Sequence, residues 1–188
     1  SSMAHAGAYQ PNMGPVVSTA VLVGNGNKKS NIAYRGIVVP LDVKGEQGIV
    51  FDADTMRIAA GWVKGGINFN GLPFSGGHGA FPSLGDGNVF TNRAAPGWAN
   101  VDGSLKDPRR GPVPALGHLP KSWAHYKGLY MLDDKVVFKF TVGKNEVLET
   151  HALETHGDIN VIVRTIQIAG NHSAMAVVAC EFYYSAMA

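Results

Sequence analysis

The stretch "VVFKFTV" at 136–142 sets the terms for the fold. Val136, Phe138, Phe140 and Val142 fall on one face of an extended chain, and Val137, Lys139 and Thr141 on the other. That alternation marks a half-buried antiparallel strand. Turn chemistry brackets it, with Asp133–Asp134 before and Gly143–Asn145 after. "GLYML" upstream and "EVLETHAL" downstream complete a three-stranded meander. "DINVIVRTIQIAG" (158–170) supplies a fourth strand and "SAMAVVACEFYY" (173–184) a fifth.

The front half repeats the theme. "VVSTAVLV" (16–23), "IAYRGIVVPL" (32–41), "QGIVFDA" (47–53) and "TMRIAAGWV" (55–63) read as strands. Pro40 falls near a strand end, where a ladder donor can be spared, and the last two strands are joined by a tight hairpin at Ala53–Asp54. Helical periodicity is nearly absent. Short strands with turn signals every 8–12 residues, roughly, predict an all-β chain, an antiparallel β-sandwich or barrel. The sandwich is preferred because both halves contain strands apolar on two faces, which need a facing sheet.

Residues 64–121 break the pattern. They are rich in Gly, Pro and Asn, and only "NVFTN" resembles a strand. Long connections without structure of their own are uncommon, and Phe69, Phe74, Phe81 and Phe90 are more than a solvated linker needs. A wrap-around loop over about 64–121 is expected, ordered and anchored by Phe74, Phe81 and Phe90. On that reading Gly76, Gly77 and Gly79 form positive-φ turns around His78, and Phe81→Ala costs about 3–5 kcal/mol if the ring is buried.

The 188 residues fit one domain, with 1–13 as a flexible N-terminal segment and 14–188 as the sandwich. A net charge of +2 with 16% charged residues lacks the basic stripe of a nucleic-acid binder, and "KDPRR" at 106–110 reads as a solvated turn. No apolar run reaches the ~18 residues of a membrane span. The opening "SSMAHAGAYQ" lacks the basic and apolar regions of a signal peptide, so it reads as a trimmed end. The single cysteine, Cys180, reads as a small buried hydrophobe.

Several residue groups could carry chemistry. Trp98 ("APGWAN"), Trp123 ("PKSWAHY") and Tyr126 are amphipathic rings in or near loops, suited to ligands with apolar faces and hydroxyl edges; core closure is the competing reading. Trp62 continues a strand face and reads as core. His78, in "GGHGA", and His125 join them as candidate ligand-binding residues. His151 and His156 bracket "HALETH" beside Glu149 and Glu154, a set able to hold a metal only if the chain turns; a surface turn is expected instead. Asp52 and Asp54 could act as an acid–base pair or hold Ca²⁺, or satisfy hairpin backbone donors. No P-loop, dinucleotide fingerprint, G-x-S-x-G elbow or C-x-x-C-H haem motif is present, so no cofactor is expected.

"NIAYRGIVVPLD", "GIVFDADTMRIAAGW", "GWANVDGSLKDPR" and "LPKSWAHYKGLYMLDDKVVFKFTVGKNEVLE" resemble, in that order, an uncharacterised N-terminal domain of large secreted proteins of planctomycetes and their relatives. The resemblance runs from about Gly14 to Gly170. It implies a periplasmic or secreted setting, beside a propeller resembling sorbosone or glucose dehydrogenases and a c-type cytochrome. The expected function is therefore a non-catalytic module that binds carbohydrate or docks those neighbouring domains. The alternatives are a small enzyme using Asp52 and Asp54 with His78 or His125 in a loop-covered cleft, and a purely structural spacer.

Overall fold

The computed structural model describes residues 14–24, 31–69, 81–85, 87–109, 115–170 and 174–181. Among these there is no helix, and the chain forms two sheets packed as a β-sandwich. The strands are β1 (Val17–Leu22), β2 (Ile32–Pro40), β3 (Gly48–Asp52), β4 (Arg57–Trp62), β5 (Ile67–Asn68), β6 (Ser83–Leu84), β7 (Asn88–Thr91), β8 (Ala124–Leu132), β9 (Lys135–Val142), β10 (Asn145–His156) and β11 (Ile159–Ala169).

The second sheet is the expected meander, extended to four strands in the order β11-β10-β9-β8. Its hairpins are tight: Leu132 pairs with Lys135, Val142 with Asn145 and His156 with Ile159. Such two-residue connections need a positive φ to match the strand twist, and Gly143 (φ 57°) and Gly157 (φ 62°) provide it. Asp133 does the same at φ 55°, which short polar side chains tolerate better than most.

The first sheet has seven strands in the order β5-β6-β1-β2-β3-β4-β7. Ile67 of β5 follows Trp62 of β4 by five residues, a reach of at most about 18 Å. Five flat strand spacings would separate those strands by about 24 Å. The sheet must therefore curl until its edges approach, and the chain crossing between them is tied at both ends of the crossing, where Val63 N–H extends the β4–β7 pairing to Gly87 O at 3.4 Å and Gly85 N–H extends the β5–β6 pairing to Gly66 O at 2.8 Å. The curl explains why β3 and β4 are buried on both faces. Val50, Ala60 and Trp62 face a core enclosed by the curled sheet, with Phe69 and Leu84 packed against it. Phe51, Met56 and Ile58 face the other sheet, where Phe51 stacks on Phe138 with ring centroids 4.1 Å apart.

The loop region is partly as expected. Phe90 lies on β7 and packs against the inter-sheet core, but Phe81 is 37% exposed and meets Tyr34 edge-on with ring centroids 6.1 Å apart. Phe81→Ala should therefore cost about 1 kcal/mol rather than the price of a buried ring, measurable by urea unfolding. Phe74, the glycines 76, 77 and 79, and His78 lie outside the described residues. The region also contributes β5 and β6, strands too short for any period to show.

The expected strand at 173–184 is corrected by the structure. Residues 174–181 form a strap, tied to the loop before β8 by the Trp98–Val177 bridge, Ala99 N–H to Ala176 O and Val178 N–H to Gly97 O. The hairpin at Ala53–Asp54 is likewise a four-residue turn, 53–56, and its carbonyls are capped by loops: Gly97 N–H donates to Thr55 O and Leu119 N–H to Asp54 O, both at 2.9 Å. Close approach here requires glycine. A Cβ on Gly97 would stand 2.2 Å from Met56 O and 2.5 Å from Arg57 Cα. Gly97→Ala is expected to lower stability by about 3 kcal/mol, because backbone and not a side chain must yield; chemical denaturation gives the number.

Candidate functional site

Trp98 and Trp123, each 2% exposed, lie in the inter-sheet core. The Trp123 indole N–H donates to Trp98 O at 3.0 Å, and Trp98 meets Phe140 edge-on at 6.0 Å. Both rings sit in loops, as the sequence suggested. Those loops fold back to close one end of the sandwich, so neither ring offers a face to a ligand. Trp62 is core as expected.

Tyr126 and His125 remain accessible near that closed end. The Arg35 guanidinium lies 5.8 Å above the Tyr126 ring and 3.6 Å from Asp54. Burial first, then the Asp52 charge, raises the Asp54 pKa against the pull of Arg35 and His118. His125 is held below the usual imidazole value by desolvation, then by Lys127 and Lys121. Among the described residues neither carboxylate bonds to His125. Asp52 instead accepts from Asp54 N–H, the Thr55 hydroxyl and Arg57 Nε, each at 3.0 Å. Hairpin capping and ion pairing thus occupy both of its oxygens.

The opposite end of the sandwich is open. A cleft of about 870 Å³ lies between the β2–β3 loop, residues 65–67, the start of β9 and the middle of β10. The loop is shaped by Asp42, whose carboxylate accepts Gln47 N–H at 2.9 Å and Lys44 N–H at 3.3 Å. Its tip is held by the Trp62 indole N–H to Gly45 O, 3.4 Å. Asp42, Glu46 and Asp134 line the cleft together with Lys44 and Lys135.

His151 forms part of the buried wall. The sequence reading put it in a surface turn with His156, and that is corrected. His156 is exposed, 3.2 Å from Glu154, but Val147, Glu149 and His151 share the inward face of β10 and are buried. Glu149, fully buried, accepts Arg164 Nε and Nη2 at 2.8 Å each, and His151 Nε2 makes a close polar contact 3.0 Å from Glu149 Oε1. Arg164 reaches from the adjacent strand, in register with His151, and ties down the strap through Val178 O at 3.0 Å. Neither ring nitrogen of His151 makes a hydrogen bond of good geometry, the Nε2 approach to Glu149 included, which for a buried polar group is costly.

This triad was hidden because "EVLETHAL" carries apolar residues on both faces, so its register gave no inward side. Burial alone would raise the Glu149 pKa; the contacts of His151 and Arg164 outweigh it, and the net direction is down. A lowered folded pKa stabilises above the unfolded value of 4.5, and that contribution is lost as pH falls through the folded pKa. Acid unfolding below about pH 4.5 should therefore be less steep in Glu149→Gln than in the wild type, followed by circular dichroism.

Residues 49–149 match the family described as a domain of unknown function, DUF6797, more than half of the 188-residue chain. The chain belongs to the DUF6797 family. The matched region runs from β3 into β10 and contains Asp52, Arg57, Trp98, Trp123 and Glu149. No curated protein and no solved structure matches the chain.

Proposed function

We propose that this DUF6797 chain is a non-catalytic binding module that takes a neutral, polyhydroxylated ligand, a carbohydrate, in the open cleft. The observation that carries the reading is the cleft's lining. Its volume of about 870 Å³ lies in the range of small-molecule sites. Its rim presents carboxylates and ammonium groups of both signs, with the imidazole of His151 behind them. A hydroxyl both donates and accepts, so a lining that holds both acceptors and donors suits a polyol better than a ligand of one charge. The full engagement of Asp52 supports a binding role over acid–base work. The resemblance noted above supports an exported, periplasmic or secreted setting. A glycan array followed by isothermal titration tests the proposal: saturable binding that His151→Ala weakens at least tenfold is expected, and silence across the array would sink it.

The outer face of the second sheet favours a second reading. Tyr130 and Leu132 of β8 and Ile159 and Val161 of β11 are exposed there, on the sheet's two edge strands, and exposed apolar side chains commonly mark a docking surface. The occupant would be the neighbouring propeller domain that the resemblance implies. Leu132→Glu should then abolish complex formation with that domain in analytical ultracentrifugation while leaving glycan binding intact. No complex with the wild type would dismiss this reading alone.

A further inference from the structure

A second cavity, about 340 Å³, lies beside the start of β4 and the loop that follows β7, lined by Arg57, Asn92, Arg93, Gly97, Lys106 and Glu181 among others. Arg57 is 2% exposed. Its Nε donates to Asp52 at 3.0 Å, and its Nη1 to Asn31 Oδ1 at 3.0 Å and to Asn92 O at 2.6 Å. Nη2 is buried and has no hydrogen-bond partner. Leaving a charged donor unsatisfied away from water is costly, and such a group in a native protein calls for an explanation. Arg57 is also part of the cavity wall, so a bound group has access to this arginine's surroundings without dismantling its other bonds.

The rest of the lining points to the charge of that group. Arg93 and Lys106 add two further cations. The nearby carboxylates are Asp52, committed to Arg57, and Glu181, which accepts Arg93 N–H at 3.0 Å and Arg93 Nε at 2.7 Å. Among the described residues, three cations thus stand beside two carboxylates. Glu181 shows what the rim recognises: an oxyanion gripped jointly by a backbone N–H and a guanidinium, the chemistry arginine suits best.

We propose that this cavity binds a compact oxyanion (a phosphate, sulfate or carboxylate group of a small ligand), with Arg57 as its fixed donor and Arg93 and Lys106 as its rim. Asp52 and the two asparagine contacts hold the guanidinium in place before the ligand arrives, so little ordering remains to be done on binding. Glu181 competes for Arg93 and moderates the affinity. The site is separate from the His151 cleft and does not depend on it.

The test uses the whole chain at constant ionic strength in chloride, titrated with inorganic phosphate, sulfate and acetate. The readout is the Nε–Hε signal of Arg57 by NMR, which needs no substitution at the buried arginine. A saturable shift is expected with at least one anion, and which anions produce it separates a tetrahedral from a planar group. Lys106→Met, at an exposed position, should weaken binding about tenfold, and Glu181→Gln should tighten it by a similar factor. An Arg57 signal that no anion moves would show that water alone satisfies Nη2 and overturn the proposal. So would affinities unchanged in both variants, the mark of an adventitious ion only.

Discussion

Replacing Asp52 with alanine is expected to cost about 3–5 kcal/mol of unfolding free energy. Asp52 and Arg57 face each other at 3.0 Å with side chains 5% and 2% exposed. Removing one partner leaves the other as a buried charge without its counter-ion, and that penalty exceeds what the pair gains when intact. The same carboxylate also caps the turn through Asp54 N–H and the Thr55 hydroxyl, so two further donors lose their acceptor. Asp54→Asn is the control. Folding raises the Asp54 pKa, burial being the largest cause, so its ionised form is disfavoured in the native state. Its partner Arg35 is more than half exposed, where solvent screens the pair. Neutralising Asp54 should leave stability within about 0.5 kcal/mol of the wild type or raise it. Urea unfolding of both variants, with m-values checked for constancy, distinguishes two aspartates that stand only two positions apart.

The second large effect is expected at Glu149. Glu149→Ala removes from the inter-sheet core the carboxylate that accepts from Arg164 and lies 3.0 Å from His151 Nε2, again at about 3–5 kcal/mol. The consequences should spread further than the triad. Arg164 bonds Val178 O at 3.0 Å and lies 5.8 Å over the Trp98 ring, so freeing it releases the 174–181 strap from one of its ties. Hydrogen exchange should show Val178 N–H, bonded to Gly97 O at 2.9 Å, losing protection more than amides of β3 and β4. In a protein of typical stability, about 5–15 kcal/mol, either loss is a large fraction of the whole.

What the sequence made legible was the part governed by local period. "VVFKFTV" alternates and becomes β9, and the Asp and Gly turns on either side close hairpins where expected. The two-sided strands β3 and β4 also announced a second covering layer, though not that the first sheet would supply it by curling. Long-range packing was what period could not reveal. Trp98 and Trp123 stand among glycine and proline, which reads as surface loop, yet loops folded over the 53–56 turn bury both rings. Residues 174–181 have strand composition, but the backbone of Ala176–Val178 pairs with the loop residues Gly97–Ala99 and not with a sheet edge. His151 went unrecognised for a related reason. Leu148 and Ala152 on the opposite face of β10 are as apolar as Val147, so only pairing with β11, which brings Arg164 across from His151, decides which side is inward.

Titrating the best glycan-array ligand into protein with ¹³C-labelled histidine rings tests the proposed cleft most directly. The chain has seven histidines, and the account predicts a saturable shift of the His151 ring with the affinity found by calorimetry. His118 and His125, at the other end of the sandwich, should stay unmoved. A ligand that shifts His125 and leaves His151 untouched, or no glycan binding at all, would contradict it.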